Sequence, residues 1–244
     1  MLPSGGVAVV IPAKDESDRI NATVKAAGGL PGVDLVVVVD DGSRDETAAI
    51  AEAAGAVVVR HGRRRGKGAA METGAEAVLL LERDQDRESP RHLLFLDADL
   101  GETAGHAAPL MQPVVDGATD MTIAVFSERV KMGGHGFVVT LAGSGINRAT
   151  GWTPAQPLNG QRCLTRSAFE AVRPLAAGFG VETGLTIDLL RKGMRLTEVE
   201  VPLAHRATGG DWRAQLHRAR QFTDVARALA VREPALRALQ TRSG

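Results

Sequence analysis

Short apolar runs that alternate with helical segments constrain the fold of this chain more than any other feature. Residues 7–11 and 35–39 are β-branched, apolar and of strand length, and residues 93–96 form a similar run before two carboxylates. Between these runs, apolar residues recur with a helical period. Strand, helix and strand at this spacing require right-handed crossovers and a mainly parallel sheet. We therefore predict an α/β fold, a single domain whose central sheet is flanked by helices.

The rest of the chain provides further strands, helices and one long connection. Strands are predicted at 56–59, 120–126 and 196–201. Helices are predicted at 44–54, 69–81, 109–115 and 167–172. A further helix is predicted after the start residues 14–17 and runs into the glycines at 28–29, and another opens at 178–183 and runs to about 192. Ser43 and Glu46 predict a capping box for the second helix. Residues 127–157 are rich in glycine and weakly periodic, which is typical of a long functional connection.

Composition narrows the functional classes before any motif is considered. The chain carries 29 basic and 29 acidic side chains, so no global field favours nucleic acid or an anionic membrane. Two Trp, six Phe and no Tyr are too few for a surface that stacks bases. The N-terminus lacks the pattern of a signal peptide, and no run reaches the ~20 apolar residues of a membrane span. We expect a cytoplasmic protein, soluble or peripheral at the inner face of the membrane, that binds no nucleic acid.

Cys163 is the only cysteine, which excludes an internal disulfide and is consistent with a reducing compartment. Nothing in the neighbouring sequence indicates an activated thiol. We expect Cys163 to be buried as a small apolar residue.

Asp97 and Asp99 follow the third apolar run directly. Side chains two apart on a strand point to the same face, so both carboxylates can project past its C-terminal edge. Such a pair suits a hard divalent cation that takes oxygen ligands and leaves positions for phosphate. The Asp-x-Asp pattern alone is common and equally describes a strand followed by a solvated turn.

Residues 60–68 place five cationic side chains and three glycines at a strand-to-helix junction. Free backbone N–H groups and the helix dipole make such a junction suitable for phosphate. The spacing does not match the phosphate loop of nucleotide hydrolases, because only three residues separate Gly62 from Gly66. A solvated basic turn remains the alternative.

Two further features lie near the C-terminus. His205 follows the last predicted strand and can be a metal ligand or a structural group. Asp211 is predicted to cap a helix with an apolar face and an arginine-rich remainder. That helix can pack on the sheet as a terminal element or lie at a membrane surface as a basic amphipathic helix.

Three motifs in the first hundred residues together resemble the GT-A fold nucleotide-diphospho-sugar glycosyltransferases, family 2 in particular. Residues 11–16 read Ile-Pro-Ala-Lys-Asp-Glu, and residues 38–47 read Val-Val-Asp-Asp-Gly-Ser-Arg-Asp-Glu-Thr. Residues 97–99 read Asp-Ala-Asp, which is similar to the metal motif of that family. The first turn lacks the Gly-x-Gly-x-x-Gly of a dinucleotide site, which disfavours an oxidoreductase.

The second half is similar to the glucosyl-3-phosphoglycerate synthases and their relatives. The similar segments are Pro-Leu-Asn-Gly-Gln at 157–161, Gly-Phe-Gly-Val-Glu-Thr-Gly-Leu-Thr-Ile-Asp at 178–188, and Ala-His-Arg at 204–206. The acceptor segment departs from that family, because residues 134–140 read Gly-His-Gly-Phe-Val-Val-Thr and lack its arginine. Phosphoglycerate is therefore not predicted as the acceptor, and polyprenyl phosphates remain open.

The resemblance implies a role for individual residues. Those implied to bind the nucleotide sugar are Pro12, Ala13, Lys14, Glu16, Asp40, Asp41, Lys67, Asp97 and Ala98. Asp99 and His205 would hold Mg²⁺ or Mn²⁺, and a histidine ligand favours Mn²⁺. Glu182, with Asp99, is implied to be catalytic, as a general base or as a group that positions the acceptor. The implied acceptor-binding residues are Gly134, Thr140, Asn159 and Gly160.

The functional hypothesis is metal-dependent transfer of a hexose from a UDP- or GDP-sugar to a small phosphorylated or polyprenyl-phosphate acceptor. We interpret residues 1–210 as the transferase domain, with a nucleotide-sugar-binding half at 1–125 and an acceptor-binding half at 126–210. Residues 211–244 form a C-terminal amphipathic helical segment, which is compatible with peripheral membrane contact; a homodimer is also open. The alternatives are a sugar-phosphate nucleotidyltransferase and a non-enzymatic membrane-surface adaptor.

Overall fold

The computed structural model describes residues 6–126, 136–203 and 212–232. Its strands are β1 Val7–Ala13, β2 Val33–Asp40, β3 Val57–Arg60, β4 His92–Phe95, β5 Met121–Phe126, β6 Arg162–Leu164 and β7 Leu196–Val201. Its α-helices are α1 Ile20–Gly28, α2 Thr47–Ala53, α3 Lys67–Asp84, α4 Ala108–Val115, α5 Gly136–Thr150, α6 Arg166–Ala171, α7 Val181–Arg191 and α8 Trp212–Arg232. Two 3₁₀ turns occupy Gly101–His106 and Gly178–Gly180.

The strands form one seven-stranded sheet in the order β3-β2-β1-β4-β6-β5-β7. Four of the six strand pairings are parallel, and among the described strands β6 alone runs antiparallel to both of its neighbours, β4 and β5. The prediction of a mostly parallel central sheet flanked by helices is therefore confirmed. A parallel sheet of this kind gathers its ligand-binding loops at the carboxyl ends of its strands.

Both faces of the sheet are buried, which explains why the central strands are nearly continuous apolar runs. Along β1, Val9 and Ile11 belong to the core cluster under α1 and α4. The alternate residues Ala8 and Val10 belong to the cluster under α3 and α7. Cys163 is fully buried as expected, and burial raises the pKa of its thiol well above the ordinary value.

The second helix does not begin as predicted. α2 begins at Thr47, and no side-chain cap from Ser43 or Glu46 is formed, so the predicted capping box is wrong. Asp45 takes that role, because its Oδ1 accepts a hydrogen bond from the backbone N–H of Thr47 at 3.1 Å. The hydroxyl of Ser43 instead accepts from the backbone N–H of Asp15 at 2.9 Å.

Helix α8 packs against α5, α7 and the 3₁₀ turn at 178–180, rather than on the sheet. Its buried side chains include Val225, Ala228 and Leu229, whereas Phe222 is 38% exposed. Arg232 forms an ion pair with Asp188 of α7. Asp211 and the predicted boundary at 210/211 lie outside the described residues. No helix within the described ranges is both long enough and apolar enough to cross a membrane.

Candidate functional site

A cavity of about 410 Å³ opens at the carboxyl ends of β1, β2 and β4. Pro12 and Ala13 at the end of β1 line it, together with Lys14 directly after β1 and Asp41 directly after β2. The junction before α3 and its first turns add Arg64, Arg65, Gly66, Lys67 and Ala70, and Asp97, Gly178, Phe179 and Asp224 complete the lining. The sheet thus brings together most of the residues that the sequence implied for a nucleotide sugar.

The two acidic residues after β2 shape one side of this cavity. The Asp41 carboxylate accepts hydrogen bonds from the backbone N–H groups of Arg65 and Gly66, at 2.7 and 2.8 Å. Its Oδ1 also lies 2.8 Å from Nδ1 of His61. Asp41 therefore fixes the basic junction as a wall of the cavity and still faces the interior.

Asp40 is fully buried and does not line the cavity. Its Oδ1 accepts from the backbone N–H of Ser43 at 2.8 Å, and its Oδ2 accepts from Nε of Arg60 at 3.1 Å. Asp40 therefore supports the loop after β2 and does not face the cavity, in contrast to the nucleotide-sugar contact that the motif implied.

The loops after β1 and β2 are joined by hydrogen bonds from backbone N–H groups to motif side chains. Glu16 donates its backbone N–H to Oγ1 of Thr47 at 2.8 Å, and Ser17 donates to Oδ2 of Asp45 at 3.1 Å. Burial alone would raise the pKa of Asp45, but the hydrogen bonds from Thr47 and Ser17 lower it to about 2. Lys14 Nζ donates to the carbonyl of Gly42 at 3.0 Å. These contacts hold one edge of the cavity in a single arrangement.

Lys67, the first residue of α3, lies at the centre of the site. Its Nζ is 2.7 Å from Oδ1 of Asp97 and 2.9 Å from Oε1 of Glu182. Burial alone would lower the pKa of Lys67, but the charges of Asp97 and Glu182 and their hydrogen bonds raise it above its ordinary value. The lysine therefore remains a cation over the whole physiological pH range.

The loop before β6 approaches this cluster closely. Nε2 of Gln161 donates to Oδ2 of Asp97 at 3.0 Å. A Cβ at Gly160 would clash with Nζ of Lys67 and would lie 3.2 Å from Oδ1 of Asp97, so any larger residue here would force Nζ of Lys67 to move. The amide of Asn159 bonds within the loop, to Gln156 and to the backbone N–H of Gln161.

Arg162 holds the loop before β6 in place through hydrogen bonds. It is 1% exposed, and its guanidinium donates to the carbonyls of Asn159 at 2.9 Å, Glu182 at 3.1 Å and Pro157 at 3.3 Å, and to Oγ1 of Thr186 at 2.8 Å. Burial lowers the pKa of Arg162 to about 10, although the nearby charge of Glu182 acts in the opposite direction. The sequence analysis did not identify Arg162, because nothing local marks a buried arginine.

The Asp-Ala-Asp segment lies beyond β4, which ends at Phe95, so Asp97 and Asp99 occupy the following turn and not the strand itself. Asp97 lines the cavity, whereas Asp99 is half-buried nearby and its carbonyl accepts from Nη1 of Arg19 at 3.2 Å. Ala98 is buried, and its carbonyl accepts from the hydroxyl of Thr23 at 2.8 Å. Carboxylate oxygens in this turn are suitable ligands for Mg²⁺ or Mn²⁺.

The metal and acceptor assignments are only partly covered by the structure. His205 and Gly134 lie outside the described residues, and no group of three or more potential metal-ligating His, Cys, Asp or Glu side chains is found within them. Thr140 is on the exposed side of α5, donates to the carbonyl of Gly136 at 2.7 Å, and lines neither of the two cavities described here.

A second cavity of about 150 Å³ adjoins the first. Lys67, Asp97 and Phe179 line both cavities. The remaining lining residues are Leu158, Glu182, Gln221 and Val225. Asp224 and Gln221, both on α8, are residues that the sequence analysis missed, because the pattern of this helix indicated only an apolar face and a basic face.

These features define a GT-A fold glycosyltransferase: a mostly parallel sheet with acidic and basic loops at its carboxyl edge. The chain belongs to glycosyl transferase family 2, whose family model matches residues 8–172, more than half of the chain. That membership favours a transferase over the nucleotidyltransferase and the non-enzymatic adaptor.

Known proteins similar to the chain include glycosyltransferase AglJ of Haloferax volcanii, 29% identical over 84% of this chain and 65% of AglJ. The glucosyl-3-phosphoglycerate synthase of Mycolicibacterium paratuberculosis is 30% identical over 75% of this chain and 59% of that enzyme. The chain thus spans about three fifths to two thirds of the length of these two relatives.

Among solved structures, the glucosyl-3-phosphoglycerate synthase of Mycobacterium tuberculosis has the same fold. Its complex with Mn²⁺, uridine diphosphate and phosphoglyceric acid superimposes with a TM-score of 0.71 at 26% identity, over 93% of this chain and 78% of that one. The complex with Mn²⁺, UDP-glucose and phosphoglyceric acid gives a TM-score of 0.68 at 25% identity, over 94% of this chain and 82% of that one.

Proposed function

We propose that this glycosyltransferase moves a hexose from a UDP-sugar to a small phosphorylated or polyprenyl-phosphate acceptor, with the aid of Mg²⁺ or Mn²⁺. The observation that carries the proposal is the position of Lys67. A lysine held between two carboxylates at the start of a helix, inside a cavity at the carboxyl edge of a parallel sheet, is placed to meet a diphosphate.

The nucleotide occupies the end of the cavity formed by the loops after β1 and β2, with Pro12, Ala13, Lys14 and Asp41 around it. Asp41 already receives three polar contacts, from His61, Arg65 and Gly66. A carboxylate has about four acceptor positions, so roughly one remains for the base. The single N3–H donor of uracil satisfies that position, whereas the Watson–Crick edge of guanine presents N1–H and an amino group. This favours UDP-sugars over GDP-sugars.

The metal is assigned to Asp99 and His205, with Asp97 beside them. Carboxylate and imidazole ligands suit Mn²⁺ and, less well, Mg²⁺. When bound, the cation neutralises charge that develops on the departing nucleoside diphosphate, as a Lewis acid. The solved relatives that contain Mn²⁺ or Mg²⁺ together with uridine diphosphate support this assignment.

In the transfer, an acceptor oxygen attacks C1 of the hexose, and the bond from C1 to the β-phosphate oxygen breaks. Lys67 stabilises the negative charge of the leaving diphosphate, since its Nζ is a cation on the wall of the cavity. Glu182 lies in the adjoining cavity, where it positions the acceptor and, for a hydroxyl acceptor, takes its proton. A phosphomonoester acceptor needs no such base.

The acceptor enters from the side of the second cavity, near Asn159 and Gly160, in the half of the chain at 126–210. Gly134 and Thr140 remain part of this assignment, although Thr140 would have to act from the exposed side of α5. A polyprenyl-phosphate acceptor would place the reaction at a membrane surface, with 211–244 as the segment nearest to it.

Release of nucleoside diphosphate tests the proposal directly. Purified protein is incubated with UDP-glucose or GDP-glucose and Mn²⁺, with phosphoglyceric acid or a detergent-solubilised polyprenyl phosphate as acceptor. Acceptor-dependent release of UDP, lost in Asp99→Ala and retained in Asp116→Ala, is expected; Asp116 is an exposed carboxylate at the end of α4. No release with any donor and acceptor, or full activity of Asp99→Ala, contradicts the proposal.

A further inference from the structure

Helix α8 contributes a carboxylate to the cavity that the family motifs do not account for. Asp224 lies on α8, outside residues 8–172, and lines the first cavity. Its Oδ2 accepts a hydrogen bond from the backbone N–H of Phe179 at 3.1 Å. Phe179 is one of the residues that line both cavities, so Asp224 lies where the two cavities meet.

The position of Asp224 is held by its neighbours on α8. Val225 is fully buried in a core cluster formed by α5, α7 and α8, and Leu229 is buried one turn further along. Arg232 pairs with Asp188 of α7 through two hydrogen bonds, one of 2.8 Å from Nε. A helix anchored in this way presents Asp224 to the cavity in a fixed orientation.

The lining of the first cavity carries both signs of charge. Lys14, Arg64 and Arg65 provide cations, and Asp41, Asp97 and Asp224 provide carboxylates. Asp41 binds the backbone of the junction before α3 and Asp97 is paired with Lys67, whereas Asp224 binds the backbone N–H of Phe179. A nucleoside diphosphate that meets the basic residues in this cavity would bring its sugar within reach of Asp224.

We propose that Asp224 accepts a hydrogen bond from a hydroxyl group of the donor sugar and selects uncharged hexoses over hexuronic acids. The inference rests on the proposed function, because it assumes that the cavity holds a nucleotide sugar. Carboxylates accept hydrogen bonds and cannot donate them, so they match the hydroxyl donors of a neutral hexose. A hexuronic acid would bring a further negative charge against Asp224, which disfavours its binding by like-charge repulsion.

Binding measurements with three ligands test this selection. UDP, UDP-glucose and UDP-glucuronic acid are titrated in the presence of Mn²⁺ by isothermal titration calorimetry. The wild-type protein is expected to bind UDP-glucose at least about tenfold more tightly than UDP-glucuronic acid. Asp224→Asn, which keeps the shape and removes the charge, is expected to reduce that ratio to about threefold or less and to leave the affinity for UDP unchanged.

Asp116→Asn is the matched control, because it removes the same charge from an exposed position at the end of α4 and lines neither cavity. It is expected to leave the selectivity unchanged. Asp224→Glu keeps the charge and is expected to keep the exclusion of UDP-glucuronic acid. Asp224→Ser, which also removes the charge, serves as the test variant if Asp224→Asn does not fold.

The outcomes separate this inference from the proposed function. Equal affinity of the wild type for the two sugars, an unchanged ratio in Asp224→Asn, or lost exclusion in Asp224→Glu overturns the role of Asp224. Any of these results leaves UDP binding, and with it the proposed function, in place. Failure of the wild type to bind UDP and both UDP-sugars contradicts the proposed function itself.

Discussion

Nζ of Lys67 lies 2.9 Å from Oε1 of Glu182, although the two residues belong to helices on different halves of the chain. The same nitrogen contacts Asp97 in the turn after β4. Three segments that are distant in sequence thus share one ion-paired group. Glu182 is almost fully buried, and Lys67 is its ion-pair partner. Under the proposed function, the lysine therefore couples the nucleotide side of the site to the acceptor side.

Replacing Lys67 with Met should weaken the binding of UDP by about tenfold to a hundredfold, because a charge-assisted contact to the diphosphate is worth roughly 1.5–3 kcal/mol. Calorimetric titration with UDP and Mn²⁺ measures the change. Lys25→Met is the control, since Lys25 is an exposed lysine in the last turn of α1. Equal affinities in Lys67→Met and in the wild type would remove Lys67 from the diphosphate site.

Gly160→Ala should lower kcat/KM by about tenfold or more, since its new Cβ would displace Nζ of Lys67 from Asp97. Overpacking at a buried site typically costs about 1–3 kcal/mol, so a moderate loss of stability is expected as well. Steady-state kinetics and thermal unfolding measure the two effects. Gly136→Ala, where a Cβ meets open space at the start of α5, should change neither quantity appreciably. Wild-type kinetics in Gly160→Ala would show that the loop accommodates the added Cβ without a loss of kcat/KM.

The elements that the sequence predicted well are those whose signals are local. β1 and β2 are apolar runs with turn-forming residues at their ends, and they were found within two residues at most boundaries. α5 was missed, although it spans Gly136–Thr150, because its glycines have low helix propensity. Gly145 compensates through tertiary packing: a Cβ there would clash with Leu229 of α8. A close helix–helix contact of this kind has no signal in the local sequence.

The candidate site likewise contains residues with a local sequence signal and residues without one. The nucleotide side could be predicted because residues 11–16, 38–47 and 97–99 carry their chemistry in contiguous motifs. Asp224 could not, because its role depends on which face of α8 packs against the turn at 178–180. β6 was also missed, since a three-residue strand that begins with Arg162 has no apolar run to mark it.

Asp45→Asn should lower the free energy of unfolding by about 1 kcal/mol at pH 7, because the carboxylate caps α2 and binds the backbone N–H of Ser17. The pKa of Asp45 is about 2 in the folded protein, below its ordinary value of 3.8 in the unfolded chain. The stabilisation is therefore present above about pH 4 and is lost as the pH falls toward 2.

Chemical denaturation at pH 7, 4 and 3 measures this dependence on Asp45. The difference between wild type and variant should be constant from pH 7 to about 5 and should shrink below pH 4. Asp18→Asn removes an exposed carboxylate from the same loop and should change the free energy of unfolding by less than about 0.5 kcal/mol. A difference that grows at low pH would contradict the assigned hydrogen bonds.

Arg162→Met should destabilise the fold by about 2–4 kcal/mol and reduce kcat more than it raises KM for the donor. The change removes every donor that the guanidinium offers to the carbonyls of Pro157, Asn159 and Glu182, and buried acceptors without donors are costly. Loss of these bonds also frees the loop that holds Gly160 against Lys67. The catalytic groups are then less precisely positioned, while the contacts to the nucleotide remain.

Arg162→Lys, which keeps the charge but not the planar fork of donors, should recover part of the stability and little of the activity. Arg195→Met is the control, because that arginine is 58% exposed and pairs with Asp120 at the surface. Urea denaturation and donor kinetics of the three variants decide the matter: if Arg162→Lys restores full kcat, the charge of Arg162 and not its fork of hydrogen bonds supports the site.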